Sequence, residues 1–484
     1  MLSEDRSREI PSELSREALL VIIAEQAKVI AKLTATVEEL RRRLGKHSQN
    51  SSKPPSSDPP SAPKRPVPEP TGRRPGGQPG HKGHKRELLP VAEVDRVEDH
   101  WPSSCESCEH ALPTRWRRDA GEVLRHQVTD LPPVVPETVE YRLHAMRCPV
   151  CGKLTAAKLP DGVPRGAFGP RVTALVAILT GCYRMSKRTA VEVMKDLFGV
   201  DLSLGSVSAC EQAVSETIAK PVEEAHEYVQ RESSAHADET GWREGRRRAW
   251  LWVAATSLVT VFRICRERGQ AAAKALLGRF HGILVTDRWD GYLWYRGLRQ
   301  ICWAHLLRDF TEMSERKGAA GRVGKDLLAD AKKMFKWWFR VRDGTLTRSG
   351  FQKKMKPLRL DIERLLKAGQ RGGTAISGSC NEMLALLDSF FTFVDHEGVE
   401  PTNNFAERQI RFAVLWRKSS FGTHSAAGSR FVERVLTVRA TLRQQARNVV
   451  EYLVQAQQAI LRGERAGSLL PSATATKRAL APAA

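Results

Sequence analysis

The sequence predicts an α+β multidomain protein: an N-terminal coiled-coil helix, a zinc-knuckle and helix-turn-helix region, then a mixed α/β layer with helices inserted in it. Three observations carry that expectation. Apolar residues alternate three and four apart within residues 12–44. Two Cys-x2-Cys pairs, Cys105/Cys108 and Cys148/Cys151, lie in segment 90–165. From residue 233 short β-rich runs replace the helical period, and the chain then turns mostly helical.

Residues 12–44 read as one helix. Leu19, Ile23, Gln26, Ile30, Leu33, Val37, Leu40 and Leu44 form an a/d seam with one polar a-position, Gln26. The seam points to a homo-oligomer; a helix packed on its own domain is the alternative. Residues 45–89 change character. Pro, Ser and Gly dominate GKHSQNSSKPPSSDPPSAPKRPVPEPTGRRPGGQPGHKGHKR, which reads as an extended basic linker. From Arg41 to Arg86, twelve Arg or Lys stand against Asp58 and Glu69. Such an arm can bind phosphates through counterion release, with Arg73, Arg74, Lys82 and Lys85 as candidate contacts. A merely solvated linker is the alternative.

Structural zinc takes four tetrahedral ligands, and a Cys-x2-Cys turn supplies two. CPVCG is the stronger knuckle, because its Gly follows the metal turn. CESCE is weaker, and the gap between the pairs exceeds the usual spacing. A structural Zn2+ on Cys105, Cys108, Cys148 and Cys151 is expected over 90–165, with His100, His110 and His144 as substitute ligands and buried thiols as the alternative. Residues 166–228 read as helices: RVTALVAILTGCYRM, SKRTAVEVMKDLFG and LGSVSACEQAVSETI. The short turn before the last resembles a helix-turn-helix with that last helix as DNA reader.

SSAHADETGW, AWLWVAAT, LVTVFRI, GILVTDRWDGY and the start of LRQICWAHLLRDFTEM read as five strands. AAAKALLGRF is a helix between the third and fourth, and a further helix is expected before the fifth. Residues 315–398 and 402–462 read as helical. Residues 463–484 read as a frayed, low-complexity tail.

The chain has 484 residues and a formal net charge of +22. That balance points to a polyanion: DNA, RNA or an anionic membrane surface. No apolar run reaches the roughly 18 residues of a transmembrane helix. MLSEDRSREIPSELSRE lacks the charged start and apolar middle of a signal peptide, so a cytoplasmic, nucleoid-associated location is expected. Nine cysteines in that compartment argue for thiols or metal ligands over disulfides.

Asp238 and Asp287 each follow a short β-like stretch, where α/β sheets present site residues. With a third carboxylate from a helix, they could hold two Mg2+ or Mn2+ ions about 4 Å apart. Glu407, in NNFAERQIR, is the candidate. From Arg408 to Arg447 the chain has nine Arg or Lys and a single acid, Glu433. Other readings stay open. Asp238 could cap the Thr240–Gly241 turn, Asp287 could accept backbone bonds before RWDGY, and Glu239 and Asp290 are rival ligands. Glu407 could pair with Arg411 in a helix capped by Thr402 or Asn403. Arg408, Arg411, Arg417 and Lys418 follow Glu407 closely, and some are expected to face a DNA backbone. Trp289 could stack on a base or sit in a core.

The ordered motifs LGKHSQNSSKPPSSD, GRRPGGQPGHKGH, the Cys pairs, HADETGWR, VTDRWDGY, CWAHLLRDF and PTNNFAERQIR resemble the insertion-sequence-66 family of bacterial DDE-class transposases. The resemblance runs from about residue 15 to 460. It implies an RNase H-like catalytic core over 229–462, with a helical insertion at about 310–400. Its three carboxylates fall on Asp238, Asp287 and Glu407, the last two 120 residues apart. The implied reaction is hydrolysis at a transposon end, then attack of the freed 3′-hydroxyl on target DNA. DNA and companion proteins of the same element are the implied partners. Cys302 and His305, in CWAH, match a motif similar transposases carry after the second Asp. They would sit near the scissile DNA or the acids; a buried Cys and a capped His are the alternative. Two further functions remain open: an inactive zinc-containing DNA-binding regulator, and an RNase H-like nuclease that never joins strands.

Overall fold

The computed structural model describes residues 15–51, 58, 62, 86–112, 124–372 and 375–471. Arg73, Arg74, Lys82, Lys85 and residues 472–484 lie outside them. The chain divides into two compact units, residues 63–135 and the rest, 1–62 with 136–484.

Helix α1 (Arg16–Leu44) starts at Ser15, whose hydroxyl accepts the Ala18 N–H, with Glu17 favouring the first turn. Leu19, Ile23, Ile30, Leu33, Val37, Leu40 and Leu44 along its seam are exposed. The segment after it was expected to be a free linker, and residues 45–51 correct that. His47 and Asn50 are buried. The His47 N–H donates to Asn50 Oδ1 at 2.9 Å, and Asn50 Nδ2 donates to Gly45 O at 3.1 Å and Glu315 Oε2 at 2.9 Å. Ser48 donates from its N–H and hydroxyl to the Asp58 carboxylate. Short polar side chains hold this backbone by local hydrogen bonds where no apolar period exists.

In the unit of residues 63–135, Cys105 and Cys108 lie in a tight turn. Cys105 O accepts the Glu109 N–H, and the Cys105 N–H donates to His110 O, both at 2.9 Å. In the larger unit, β1 (Ala145–Arg147) and β2 (Leu154–Ala156) pair antiparallel. Cys148 and Cys151 occupy the turn between them, closed by Gly152 at φ +70°. Both Cys-x2-Cys segments thus form turns.

Helices α2 (Pro170–Gly181), α3 (Lys187–Phe198), α4 (Leu204–Thr217) and α5 (Ala219–Arg231) follow. Val176, Met194, Val207 and Cys210 pack α2, α3 and α4 together. Helix α4, the expected DNA reader, contains Glu211 and Glu216 and no Lys or Arg. It therefore brings no cation of its own to a phosphate backbone.

The main sheet contains β3 (Ser234–Glu244), β4 (Arg247–Ala255), β5 (Thr260–Cys265), β6 (Ile283–Thr286) and β7 (Arg299–Ile301), in the order β5-β4-β3-β6-β7. Strands β3, β4 and β5 form an antiparallel meander; β6 runs parallel to β3, and β7 to β6. Helix α6 (Gln270–Leu277) links β5 to β6. The apolar run of β4 is buried along most of its length, as a central strand covered on both faces must be. Between β6 and β7 a helix was expected. The structure has only a 3-10 turn at Asp290–Tyr292. Trp289 folds so closely over Gly291 that a Cβ there would lie 1.9 Å from the indole. Asp287 consequently sits directly at the end of β6.

Helices α7 (Trp303–Ser314), α8 (Gly318–Arg342), α9 (Arg348–Arg371), α10 (Ser377–Ala385) and α11 (Thr392–Asp395) build a second core around Phe310, Met334, Phe351 and Phe393. Helices α12 (Asn404–Ser420), α13 (Ala426–Gln444) and α14 (Val449–Leu461) return to the core of the sheet. Residues 463–471 correct the expectation of a frayed tail. Leu469 is fully buried, its carbonyl accepts Gln445 Nε2 at 2.9 Å, and Gly467 O accepts the Tyr452 hydroxyl at 2.7 Å. Among the described residues no helix is long and apolar enough to cross a membrane.

Leu469→Ala should lower the unfolding free energy by about 2–4 kcal/mol, read by urea denaturation. An unchanged midpoint and slope would mean that the segment does not pack.

Candidate active site

Three elements bring three acids within electrostatic reach of one another, Asp238 feeling the charges of both Asp287 and Glu407. Asp238 is the fifth residue of β3, Asp287 follows β6, and Glu407 lies in the first turn of α12. Each is only partly exposed. The Asp238 carboxyl is held well above the usual carboxylate range. Burial is the main cause, followed by the negative charges of Glu239, Asp287 and Glu407; only the Glu239 N–H, donating at 2.9 Å, acts the other way. No cation is among these influences on Asp238, whereas Asp287 has the buried Arg299 guanidinium among its charged neighbours. Asp287 Oδ1 accepts the Trp289 N–H at 3.0 Å, so its turn-capping role is real. Glu407 Oε1 is buried without a hydrogen-bond partner. Its ion-pair neighbour is His305, with Nδ1 at 3.8 Å, while Arg411 is exposed.

The start of α12 is fixed from two sides. Asn403 occupies the N-cap position, yet its side chain does not cap the helix. Instead Asn403 Nδ2 donates to Ala237 O at 2.8 Å, Oδ1 lies 3.1 Å from His236 Nδ1, and the Asn403 N–H meets Cys302 Sγ at 3.1 Å. This corrects the expected capping role: the amide serves tertiary contacts. The Trp303 N–H also donates to Pro401 O at 2.9 Å. Cys302 is fully buried at the start of α7, and His305 lies one turn further on. Burial leaves His236 neutral, pushing its pKa down to about 4.

Of the rival ligands, Asp290 is exposed, and Glu239 is already engaged. Arg268 grips Glu239 Oε1 from Nη2 at 2.8 Å and Nε at 3.1 Å, and the Tyr292 hydroxyl donates to Oε2 at 3.0 Å. The Arg268 guanidinium lies over the rings of Trp250 and Trp289, at 4.8 and 4.5 Å. Trp289 also packs on Trp252 and Tyr292, which places it in the core rather than free for a base. Arg299 is buried behind the end of β6, donating to Thr286 Oγ1 at 3.0 Å. Nothing in the local sequence marks Arg268, Tyr292, Arg299 or Asn403, because their partners lie far away along the chain.

Arg408, Arg411 and Lys418 are exposed on α12. Arg417 corrects the expectation of a phosphate contact. Its Nη1 donates to Gly241 O at 2.6 Å and Thr240 Oγ1 at 3.3 Å, tying α12 to β3. Gly241 permits this close approach; a Cβ there would meet Nη1 at 3.0 Å.

Residues 165–430 match the family described as Transposase IS66 family. Residues 7–87 match a family of unknown function, DUF6444. No curated protein matches the chain. The first match covers more than half of the chain and includes Asp238, Asp287, Cys302, His305 and Glu407. A transposase family implies DNA as a partner and suggests use of a divalent metal. The chain belongs to the IS66 family of transposases.

Proposed function

We propose that this chain is an active DDE transposase that binds the ends of its insertion sequence and carries out hydrolysis and strand transfer with Asp238, Asp287 and Glu407. The observation that carries this reading is that Asp238 of β3 feels the negative charges of Asp287, after β6, and Glu407, on α12, with no cation among the influences on it. The sheet order β5-β4-β3-β6-β7, with a meander followed by parallel strands, supports an RNase H-like core. The helical insertion corresponds to α7–α11.

The residues fit a hard divalent cation. All three donors are carboxylates, Glu407 Oε1 is buried and unpartnered, and Asp238 is burdened by its neighbours' charge. Two Mg2+ or Mn2+ ions held by these acids would supply charge neutralisation at the phosphodiester. The protein's share is placement. Asn403 and Cys302 fix the start of α12 and so aim Glu407. Arg268 withholds Glu239 from the ligand set. Arg408, Arg411 and Lys418 present positive charge to the DNA backbone, and Arg73, Arg74, Lys82 and Lys85 are the basic arm's candidate phosphate contacts. In the first step water cleaves a phosphodiester and leaves a 3′-hydroxyl. In the second that hydroxyl attacks target DNA, displacing another 3′-hydroxyl, with no covalent protein intermediate.

Structural zinc binding by the Cys105/Cys108 turn and by the Cys148/Cys151 turn belongs to the same reading. The Cys105 thiol is lowered by the N–H groups of Ser107 and Cys108, and Cys148 by those of Cys151 and Val150, which favours thiolates in both turns. The exposed α1 seam supports a homo-oligomer that could bring two ends together. Companion proteins of the element and a nucleoid location complete the proposal.

Asp238→Asn, Asp287→Asn and Glu407→Gln should each reduce Mg2+-dependent cleavage of labelled transposon ends at least about a hundredfold while end binding persists. A variant that still cleaves at the wild-type rate does not lack a catalytic residue. A second expectation concerns pH. The folded pKa of Asp238 is raised, so its proton stabilises the fold at low pH, and that contribution is lost as pH rises through the folded value. In EDTA, Asp238→Asn should therefore melt above wild type at about pH 8, and the gap should close towards about pH 4. Equal melting curves at the higher pH would contradict the buried-charge account. Ile30→Asp with Leu33→Asp should shift the sedimenting species to monomer, since both open the α1 seam; an unchanged mass would place self-association elsewhere.

A further inference from the structure

We infer that Cys302, His305 and Glu407 form a binding site for one thiophilic divalent cation of the zinc class, separate from the all-carboxylate site and sharing Glu407 with it. The sharing rests on the proposed role of Glu407; the site itself does not.

The donor atoms of these three side chains all lie within 4.8 Å of one another. His305 Nδ1 and Glu407 Oε1 are 3.8 Å apart. Tetrahedral zinc, with bonds of about 2.0–2.3 Å, holds its ligands roughly 3.3–3.8 Å from each other. Small side-chain adjustments would close the set around one ion. Three protein ligands leave a fourth position open, as zinc sites that bind water or substrate do.

Two observations point to a cation rather than to ordinary packing. His305 Nδ1 and Glu407 Oε1 are both buried without a hydrogen-bond partner, and they lie 3.8 Å apart. Buried polar atoms are seldom left so. Cys302 Sγ, in turn, receives the Asn403 N–H at 3.1 Å, and the N–H groups of His305 and Ala304 also favour its thiolate. Backbone N–H groups act on sulfur in the same way in the Cys105 and Cys148 turns. Cys302 also sits at the N-cap of α7, where the helix dipole favours negative charge.

The donor chemistry separates this site from its neighbour. Thiolate and imidazole suit zinc-class ions; Mg2+ prefers oxygen and retains water. Burial holds the Cys302 thiol up to about 11, so an entering ion must displace that proton. An ion on Cys302 and His305 would also draw Glu407 away from Asp238 and Asp287, so the two occupancies of Glu407 compete.

The test is a cadmium titration of full-length protein, read by thiolate-to-cadmium absorption and by metal content after desalting. Every variant keeps the four knuckle cysteines, so differences isolate this site. Wild type and Asp238→Asn should bind one cadmium per chain more than Cys302→Ser, His305→Gln and Glu407→Gln. Cys302 is fully buried, so its variant could misfold; His305→Gln, at a partly exposed position, then decides. Equal cadmium content in wild type and folded His305→Gln overturns the site, as does loss of the extra ion in Asp238→Asn. Failure of the catalytic reading looks different: Asp238→Asn would keep cleaving DNA while the cadmium counts stayed as expected.

Discussion

The position of α12 depends on one residue, Asn403. Its three polar groups reach Cys302, Ala237 and His236, which lie 101, 166 and 167 residues earlier in the chain. The side-chain amide offers donors and an acceptor in one rigid plane and so ties α12 to β3, while the backbone N–H of the same residue ties it to Cys302 at the β7–α7 corner. The contacts are buried, and removing the amide would leave unpaired partners at a cost of about 1–3 kcal/mol each. Trp303, the first residue of α7, bonds Pro401, just before α12. The helices α7–α11 are therefore closed off at their base. A long insertion fastened at both ends can hold a core of its own without shifting Glu407.

That fastening works against electrostatics. Bringing Asp238, Asp287 and Glu407 together in a partly buried place is unfavourable, and Asp238 records the cost in its raised proton affinity. The chain treats a fourth acid differently. Glu239 has Arg268 and Tyr292 on its two oxygens, and Arg268 is braced by two tryptophans. Glu239 is thus paired, while Asp238 beside it has only negative charges among its charged influences. The same division runs along α12. Arg417 is spent on the backbone of β3, while Arg408, Arg411 and Lys418 stay exposed.

Much of this was legible in the sequence, for physical reasons. The runs that became β4, β5 and β6 are rich in β-branched and aromatic residues. Asp238 and Asp287 stood out because each follows a β-like stretch, and Glu407 because it interrupts a basic run; Asp238 nevertheless lies inside β3, which continues to Glu244, rather than at a strand end. Local pattern failed where partners are distant. Asn403 looked like a helix cap, and at its position it is one, but its side chain answers to the sheet. The helix expected between β6 and β7 was lost to Trp289 and Tyr292, which fold into the core around Trp252. HSQN looked like linker because it has no apolar period; polar bonds to Glu315 hold it instead. Leu469 sat in a low-complexity stretch that gave no sign of the slot it fills.

The central claim is that Asp238, Asp287 and Glu407 act together on hard divalent cations. Its most direct test is a crystal of the protein soaked in Mn2+, with the ions located by anomalous scattering. The account predicts manganese peaks bridged by carboxylate oxygens of Asp238, Asp287 and Glu407. Manganese bound only elsewhere, with Glu407 turned away from the two aspartates, would contradict it.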